Sequence, residues 1–151
     1  MPGLIGSIIV GTDGSDTAGI AVSHAISLAA ALRARLQIVS AYEPVPDARL
    51  GAQRLRAPED VQWTVNPRED VLALLESAQH EAREGGVDAV ETFARVGDAA
   101  DAILDIAEEQ KADLIVIGNK GMTGATRFLL GSVPNKVSHH APCSVLIVRT
   151  T

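Results

Sequence analysis

The chain has 151 residues, a formal net charge of −6 and a pI near 5.1. This balance argues against a general nucleic-acid binder, because duplex affinity depends on Lys and Arg neutralising phosphates. With 46% hydrophobic and 21% charged residues, the composition is typical of one globular domain, here predicted over 1–151, and argues against disorder of the whole chain. One Trp, one Tyr and two Phe leave little for base-stacking platforms.

The cysteine content and the length of the apolar runs indicate where in the cell the protein is located. Cys143 is the only cysteine, so no internal disulfide can form, and nothing resembles a secretory signal. The longest apolar runs, such as 20–32, contain polar residues and fall short of the roughly 20 residues of a membrane span. We therefore expect a cytoplasmic protein without a membrane segment.

The first elements read as strand, loop, helix and strand. Ser7–Val10 is a β-branched run that stops at Gly11, and Leu36–Tyr42 reads as a second buried strand. The helix between them runs to Leu32, and its start offers three capping side chains: Asp13, Ser15 and Asp16. After the second strand, 43–66 mixes Pro, Gly and charge, which predicts a surface excursion that is mobile or functional.

A second helix starts at Asn66, Pro67 and Glu69 and keeps helical spacing up to Gly85-Gly86. Ala89–Val96 then alternates Val90, Thr92, Ala94 and Val96 on one side. The remaining elements are a helix opened by Asp98 or Asp101, the apolar strand "DLIVIG", a helix over about Ser132 to His140, and a strand Ser144–Arg149.

The order β-α-β-(loop)-α-β-α-β-α-β predicts an α/β fold. Buried strands that alternate with helices favour an open parallel sheet covered on both faces, here five strands and four helices in three layers. Ligands of such sheets bind beyond the carboxyl ends of the strands, where neighbouring connections go to opposite faces.

Four glycines lie in "GNKGMTGATRFLLGS", at that edge of the sheet. Gly118 and Gly121 can bare successive backbone N–H groups, while Gly131-Ser132 places further N–H groups and a hydroxyl at a helix start, where the dipole favours an anion. Lys120 or Arg127 could add charge. On spacing alone, a plain surface loop with Ser132 as a helix cap is an equal alternative.

Neither the P-loop spacing nor Gly-x-Gly-x-x-Gly occurs in the chain. Gly118-x2-Gly121-x9-Gly131-Ser132 instead resembles the phosphate motif of the ATP-binding branch of the universal stress protein family. "IIVGTDGSD", "KADLIVIGNKG" and "LLGSVPNKVSHHAPCSVLIVR" resemble that family in order and position, so the likeness covers essentially the whole chain.

The resemblance implies a Rossmann-like nucleotide-binding fold, homodimers through the last strand Ser144–Arg149, and ATP in a cleft. It implies that the phosphates are held by Gly118, Gly121, Gly131, Ser132 and Val133. Asp13 would approach the ribose or a bound divalent ion such as Mg²⁺. Thr12 and the backbone around Ala41 would line the adenosine, and Ile117 would pack nearby.

Several of these residues have other interpretations. Asp13 could simply form an Asx turn and helix cap. A calcium loop counted from Asp13 is excluded, because Ala18 stands where glycine is needed and His24 where the bidentate Glu should be. His139, His140 and Cys143 do not complete a metal site, and no catalytic base can be named.

Three classes of function remain open. The favoured one is a stress-response protein that binds ATP as a sensor or regulator, with cyclic AMP as the competing ligand. The second is an enzyme, at most a slow ATPase, since hydrolysis needs an oriented water and charge compensation at the γ-phosphate. The third is an interaction protein of the ligand-free family branch, which the intact glycine motif disfavours.

Overall fold

A computed structural model describes residues 4–42, 68–119 and 130–150. Within these ranges the chain forms five strands and four helices, alternating as the sequence predicts. In chain order they are β1 (Ser7–Gly11), α1 (Asp16–Leu32), β2 (Arg35–Tyr42), α2 (Arg68–Glu84), β3 (Val90–Val96), α3 (Ala99–Glu109), β4 (Leu114–Gly118), α4 (Ser132–His140) and β5 (Ser144–Val148).

All strand pairs in the sheet are parallel, and the strand order is β3-β2-β1-β4-β5. The chain builds outward from the central strand β1 to β3, then crosses back to β4 on the other side of β1. Val10 in β1 pairs with Ile38 of β2 and with Val116 of β4. The connections therefore reverse direction between β1 and β4, which confirms the predicted parallel α/β fold and places its switch point there.

Two apolar cores lie on the two faces of the sheet. Ile8 and Val10 of β1 point into the core covered by α1 and α2, and Ile9 points into the core covered by α3 and α4. This alternation follows from the period of two in a strand, and right-handed crossovers place the two helix pairs on opposite faces. The apolar runs in β1 and β4 are unbroken because both faces of these strands are buried.

The structure decides between the predicted helix caps. Ser15 caps α1, with its Oγ accepting from the Ala18 N–H at 3.2 Å, and Asp98 caps α3, with its Oδ2 accepting from the Asp101 N–H at 3.1 Å. Each side chain satisfies a backbone donor that the first helical turn leaves open.

Some boundaries differ from the prediction. β5 ends at Val148, so Arg149 lies outside the strand, and β5 forms an edge of the sheet. Val96 is 54% exposed, because it ends the other edge strand, β3. The predicted excursion 43–66 and the helix start at Asn66-Pro67 lie outside the described residues.

In the part of the chain that the structure describes, none of the helices has the length and apolar character needed to cross a membrane.

Candidate functional site

A cleft opens at the carboxyl edge of the sheet, between the ends of β1 and β4. Its volume is about 650 Å³ with the open solvent at its mouth included. The lining residues come from the sheet and from the starts of three helices: Gly11, Thr12, Asp13, Ser15, Thr17, Ala18, Val39, Ala41, Ala99, Ile103, Ile117, Gly118, Val133 and Pro134.

The loop after β1 forms one polar wall of the cleft. Asp13 Oδ1 accepts from the Ser15 N–H at 2.9 Å, and Thr12 Oγ1 accepts from the Gly14 N–H at 3.2 Å. Gly14 has φ +84°, a left-handed conformation that favours glycine at this turn. The Asx turn is therefore present, and it engages only one oxygen of the exposed Asp13 carboxylate. A hydroxyl pair follows it, with Ser15 Oγ 3.2 Å from Thr17 Oγ1.

The floor of the cleft is apolar and closely packed. Val39 and Ile117 are buried beneath it, and Ile103 of α3 packs directly onto Gly11 at the end of β1. A Cβ atom at Gly11 would collide with the Ile103 side chain. Glycine at this position therefore lets α3 approach the sheet and lets Ile103 form part of the floor.

The start of α4 forms the opposite wall. Gly131 is the N-cap, and none of the side chains that the structure describes caps this helix. The first helical hydrogen bond runs from the Asn135 N–H to the Gly131 carbonyl at 2.9 Å, so the N–H groups of Ser132 and Val133 have no partner within the helix. Val133 borders the cleft. Two open donors at the positive end of a helix dipole suit an anionic group.

Asn119, which the sequence analysis did not single out, fixes this wall to the sheet. Its carbonyl oxygen accepts from the Gly131 N–H at 2.9 Å, and its own N–H donates to the Val148 carbonyl at 2.9 Å. Its side-chain Oδ1 accepts from the N–H and the Oγ1 of Thr150, at 3.0 and 2.9 Å. The start of α4 is thereby held at the carboxyl ends of β4 and β5.

Salt bridges join the starts of α3 and α4. Lys136 Nζ lies 2.8 Å from Asp101 Oδ1 and 3.4 Å from Asp98 Oδ2. The hydrogen bond to Asp101 is the main cause that raises the pKa of Lys136 above its ordinary value, and the charges of both carboxylates add to it. The ammonium therefore links the second turn of α4 to the first turn of α3.

Most of the predicted site residues meet in the cleft. Six of them line it: Thr12, Asp13, Ala41, Ile117, Gly118 and Val133. Gly131 and Ser132 do not line it but precede Val133 directly at the start of α4. Gly121, together with the possible charge donors Lys120 and Arg127, lies outside the described residues.

Several residues that line the cleft were not predicted. For only one of them does the local sequence indicate a place at the cleft. Gly11 ends β1 as Gly118 ends β4, a symmetry at the two strands of the switch point that the sequence does show. Ala99, Ile103 and Pro134 read as ordinary helix residues, because their place in the cleft depends on how α3 and α4 dock.

The other candidate groups do not gather into a metal site. No cluster of three or more His, Cys, Asp or Glu side chains arranged to hold a metal ion occurs among residues 4–42, 68–119 and 130–150. His139 and His140 are exposed at the end of α4. Cys143 packs against the core under α3 and α4, and burial, with a smaller contribution from the charge of Asp113, raises the pKa of its thiol.

Comparisons with known proteins agree over nearly the whole chain. The family model described as "Universal stress protein family" matches residues 5–149. Universal stress protein Rv1636 of Mycobacterium tuberculosis is 40% identical over 145 residues, which are 96% of this chain and 97% of that protein.

Two solved structures of universal stress proteins are similar to this chain. A crystal structure of a universal stress protein in complex with cAMP has a TM-score of 0.72 at 35% identity and covers 97% of this chain and 98% of its own. The universal stress protein UspA from Lactobacillus plantarum has a TM-score of 0.76 at 24% identity, covering 96% of this chain and 98% of its own, and so supports the fold alone.

Proposed function

Because the chain belongs to the universal stress protein family, we propose that it binds an adenine nucleotide in the cleft between β1 and β4 and acts as a sensor or regulator in a stress response. The observation that carries the proposal is the uncapped start of α4 beside the cleft. There the N–H groups of Ser132 and Val133 have no acceptor among the residues that the structure describes, and they can bind phosphate oxygens. Capture by backbone groups requires no catalytic side chain.

The two walls of the cleft differ in charge, which gives the ligand a direction. α1 carries Asp16 in its first turn and follows Asp13, whereas α4 has no acidic residue in its first turn. Phosphates are therefore favoured at α4 and disfavoured at the α1 wall. The free carboxylate oxygen of Asp13 and the hydroxyls of that wall suit ribose, or a Mg²⁺ ion bound with the phosphates.

ATP is the first ligand that we propose. Its phosphate chain would use the whole Gly118-x2-Gly121-x9-Gly131-Ser132 motif, as the resemblance implies for the ATP-binding branch. The apolar floor around Ala41, Ile103 and Ile117 offers a surface for the adenosine. A cytoplasmic location is part of this proposal.

Cyclic AMP is the second candidate, because a universal stress protein 35% identical to this chain was solved in complex with cAMP. It carries a single phosphate, which the two free N–H groups of α4 suffice to bind. Slow ATP hydrolysis is a lesser alternative. Asp13 is the only acidic side chain among the described lining residues, and one of its oxygens is engaged by Ser15.

The homodimer is also part of the proposal. β5 is an edge strand, and Leu146 and Ile147 on it are both 38% exposed. An edge strand offers unpaired backbone groups, and these apolar side chains would be covered by pairing with a second copy of the chain.

Calorimetric titration of the purified protein with ATP, ADP, AMP and cyclic AMP, with and without Mg²⁺, tests the proposal. Ser132→Pro removes one N–H at the first helical position, where proline is tolerated, and Gly131 before it already has the extended backbone that proline requires. Ser132→Ala is the matched control that removes only the hydroxyl. A Gly131→Val variant adds bulk at the cap itself.

We expect saturable binding by the wild type, a modest loss in Ser132→Ala and a severe loss in Ser132→Pro and Gly131→Val. A preference for cyclic AMP over ATP would move the assignment to the second candidate. No binding of any of the four nucleotides would overturn the proposal. Phosphate release above background that Asp13→Asn abolishes would establish the enzyme alternative.

A further inference from the structure

We propose that Lys136 is a positioning residue for the phosphate end of the ligand, because it joins and neutralises the two carboxylates at the start of α3 beside the start of α4. This inference rests on the proposed nucleotide function. It concerns a side chain that does not line the cleft and that the glycine motif does not include.

The contacts show a bridge between two helices. Lys136 Nζ binds Asp101 Oδ1 at 2.8 Å and Asp98 Oδ2 at 3.4 Å. All three side chains are about half exposed, so solvent and salt weaken the bridge without abolishing it. The contact joins the first turn of α3 to the second turn of α4, and each helix lines the cleft close to its start, through Ala99 and Val133.

The carboxylates of Asp98 and Asp101 at the start of α3 repel a phosphate unless a positive charge neutralises them. Asp98 accepts from the Asp101 N–H and so occupies the positive end of α3 with its own carboxylate. Asp101 adds a second negative charge in the same turn. Lys136 lies four residues after Ser132, on the helix whose free N–H groups are proposed to bind the phosphates. Without its ammonium, two unbalanced carboxylates would act on that anion.

The arrangement gives Lys136 an indirect role. Its Nζ is bound to both carboxylates. It therefore sets the position and the electrostatic potential of the start of α4 without touching the ligand. The affinity for a ligand should depend on Lys136 in proportion to the negative charge of that ligand.

The test is the binding of ATP, AMP and uncharged adenosine to the wild type and to Lys136→Met, measured by calorimetry at low and at moderate salt. We expect ATP affinity to fall roughly three- to tenfold, as loss of one nearby screened charge would give, and adenosine affinity to stay nearly unchanged. The loss should shrink as salt rises. Lys136→Arg should keep most of the affinity, because it keeps the charge.

Two further variants distinguish an effect of the Lys136 charge on binding from an effect on folding. Lys111→Met removes the same charge in the turn before β4, at the opposite edge of the sheet from the cleft, and should leave ATP binding unchanged. Adding Asp101→Asn to Lys136→Met removes one of the opposing carboxylates and should recover part of the ATP affinity. Circular dichroism and thermal unfolding confirm that each variant is folded.

The outcomes distinguish this inference from the proposed function. A wild type that binds none of these ligands overturns both. A wild type that binds ATP while Lys136→Met binds it equally well overturns the inference alone. Equal losses for ATP and adenosine, or no recovery with Asp101→Asn, would mean that Lys136 acts only on the stability of the fold, and would also overturn it.

Discussion

The backbone carbonyl of Asn119 accepts a hydrogen bond from the N–H of Gly131 at 2.9 Å, so the chain that leaves β4 returns to the same point to begin α4. This bond leaves the next N–H groups, those of Ser132 and Val133, as the open donors at the start of the helix. The contact between Asn119 and Gly131 thereby fixes the helix start at which we propose that the phosphates bind.

Replacing Asn119 should weaken both the fold and the site. Its Oδ1 accepts two hydrogen bonds from Thr150, which is buried. Asn119→Ala leaves those donors without a partner, and we expect the free energy of unfolding to fall by about 1–3 kcal/mol. Urea denaturation measures this change. Thr150→Val removes only the hydroxyl and should cost less, and an unchanged midpoint for Asn119→Ala would contradict the role of this side chain.

A side chain at Gly11 should damage the cleft more than the fold. In Gly11→Ala the added Cβ meets the end of the Ile103 side chain, which can rotate away but also forms part of the cleft floor. We expect nucleotide affinity to fall while the protein stays folded. The second change Ile103→Val should restore part of the binding, since it shortens the displaced side chain.

Gly19→Ala is the matched control for this prediction. An added Cβ at Gly19 meets nothing within 4 Å, and the residue lies inside α1, so the free energy of unfolding should rise by about 0.5–1 kcal/mol with binding unchanged. Equal ATP affinity in Gly11→Ala and Gly19→Ala would show that the floor is not part of the ligand site.

The thiol of Cys143 should react slowly in the folded protein. Burial first, and the charge of Asp113 second, raise its pKa above the ordinary value, so less thiolate is present at a given pH than in the unfolded chain. The alkylation rate by iodoacetamide, followed against pH, should have a higher midpoint in buffer than in denaturant. Coinciding midpoints would contradict the burial of this thiol.

The raised pKa of Cys143 also makes the stability of the protein depend on pH. Because the folded pKa is the higher one, the contribution of Cys143 to stability is fully present below the unfolded pKa and is lost as pH rises through the folded pKa. Lys136, whose pKa is also raised, acts in the same direction at still higher pH. The free energy of unfolding should therefore fall on the alkaline side.

A charge on β5 should prevent the proposed dimer. Leu146 is 38% exposed on the edge strand, so Leu146→Lys should leave the chain folded while placing like charges opposite each other in a paired edge. Light scattering coupled to size exclusion should give a dimer for the wild type and a monomer for the variant. Val96→Lys, at an exposed apolar position on the other edge strand β3, is the control and should not change the mass. A monomeric wild type would contradict the dimer.

The sequence predicted the architecture because its signals are local. The apolar run of β4 and the Gly131-Ser132 helix start each lie within a few residues, and the structure confirms the elements that they predict. The place of Thr12, Asp13 and Ala41 at one edge follows from parallel strands ending together.

The parts that the sequence did not predict depend on contacts between distant segments. Asn119 bonds to Thr150 across two strands, and Ile103 reaches Gly11 only because α3 docks on that face. Lys136 looks like an ordinary surface charge until α4 lies beside Asp98 and Asp101. No local pattern distinguishes such residues from their neighbours.

The most direct test of the central claim is a titration of ¹⁵N-labelled protein with ATP and with cyclic AMP, followed through the backbone amide signals of Ser132 and Val133. Phosphate capture by these N–H groups predicts large, saturable shifts of both signals, with smaller shifts at Lys111 on the opposite edge of the sheet. Saturable binding that moves other signals and leaves those of Ser132 and Val133 in place would contradict the account.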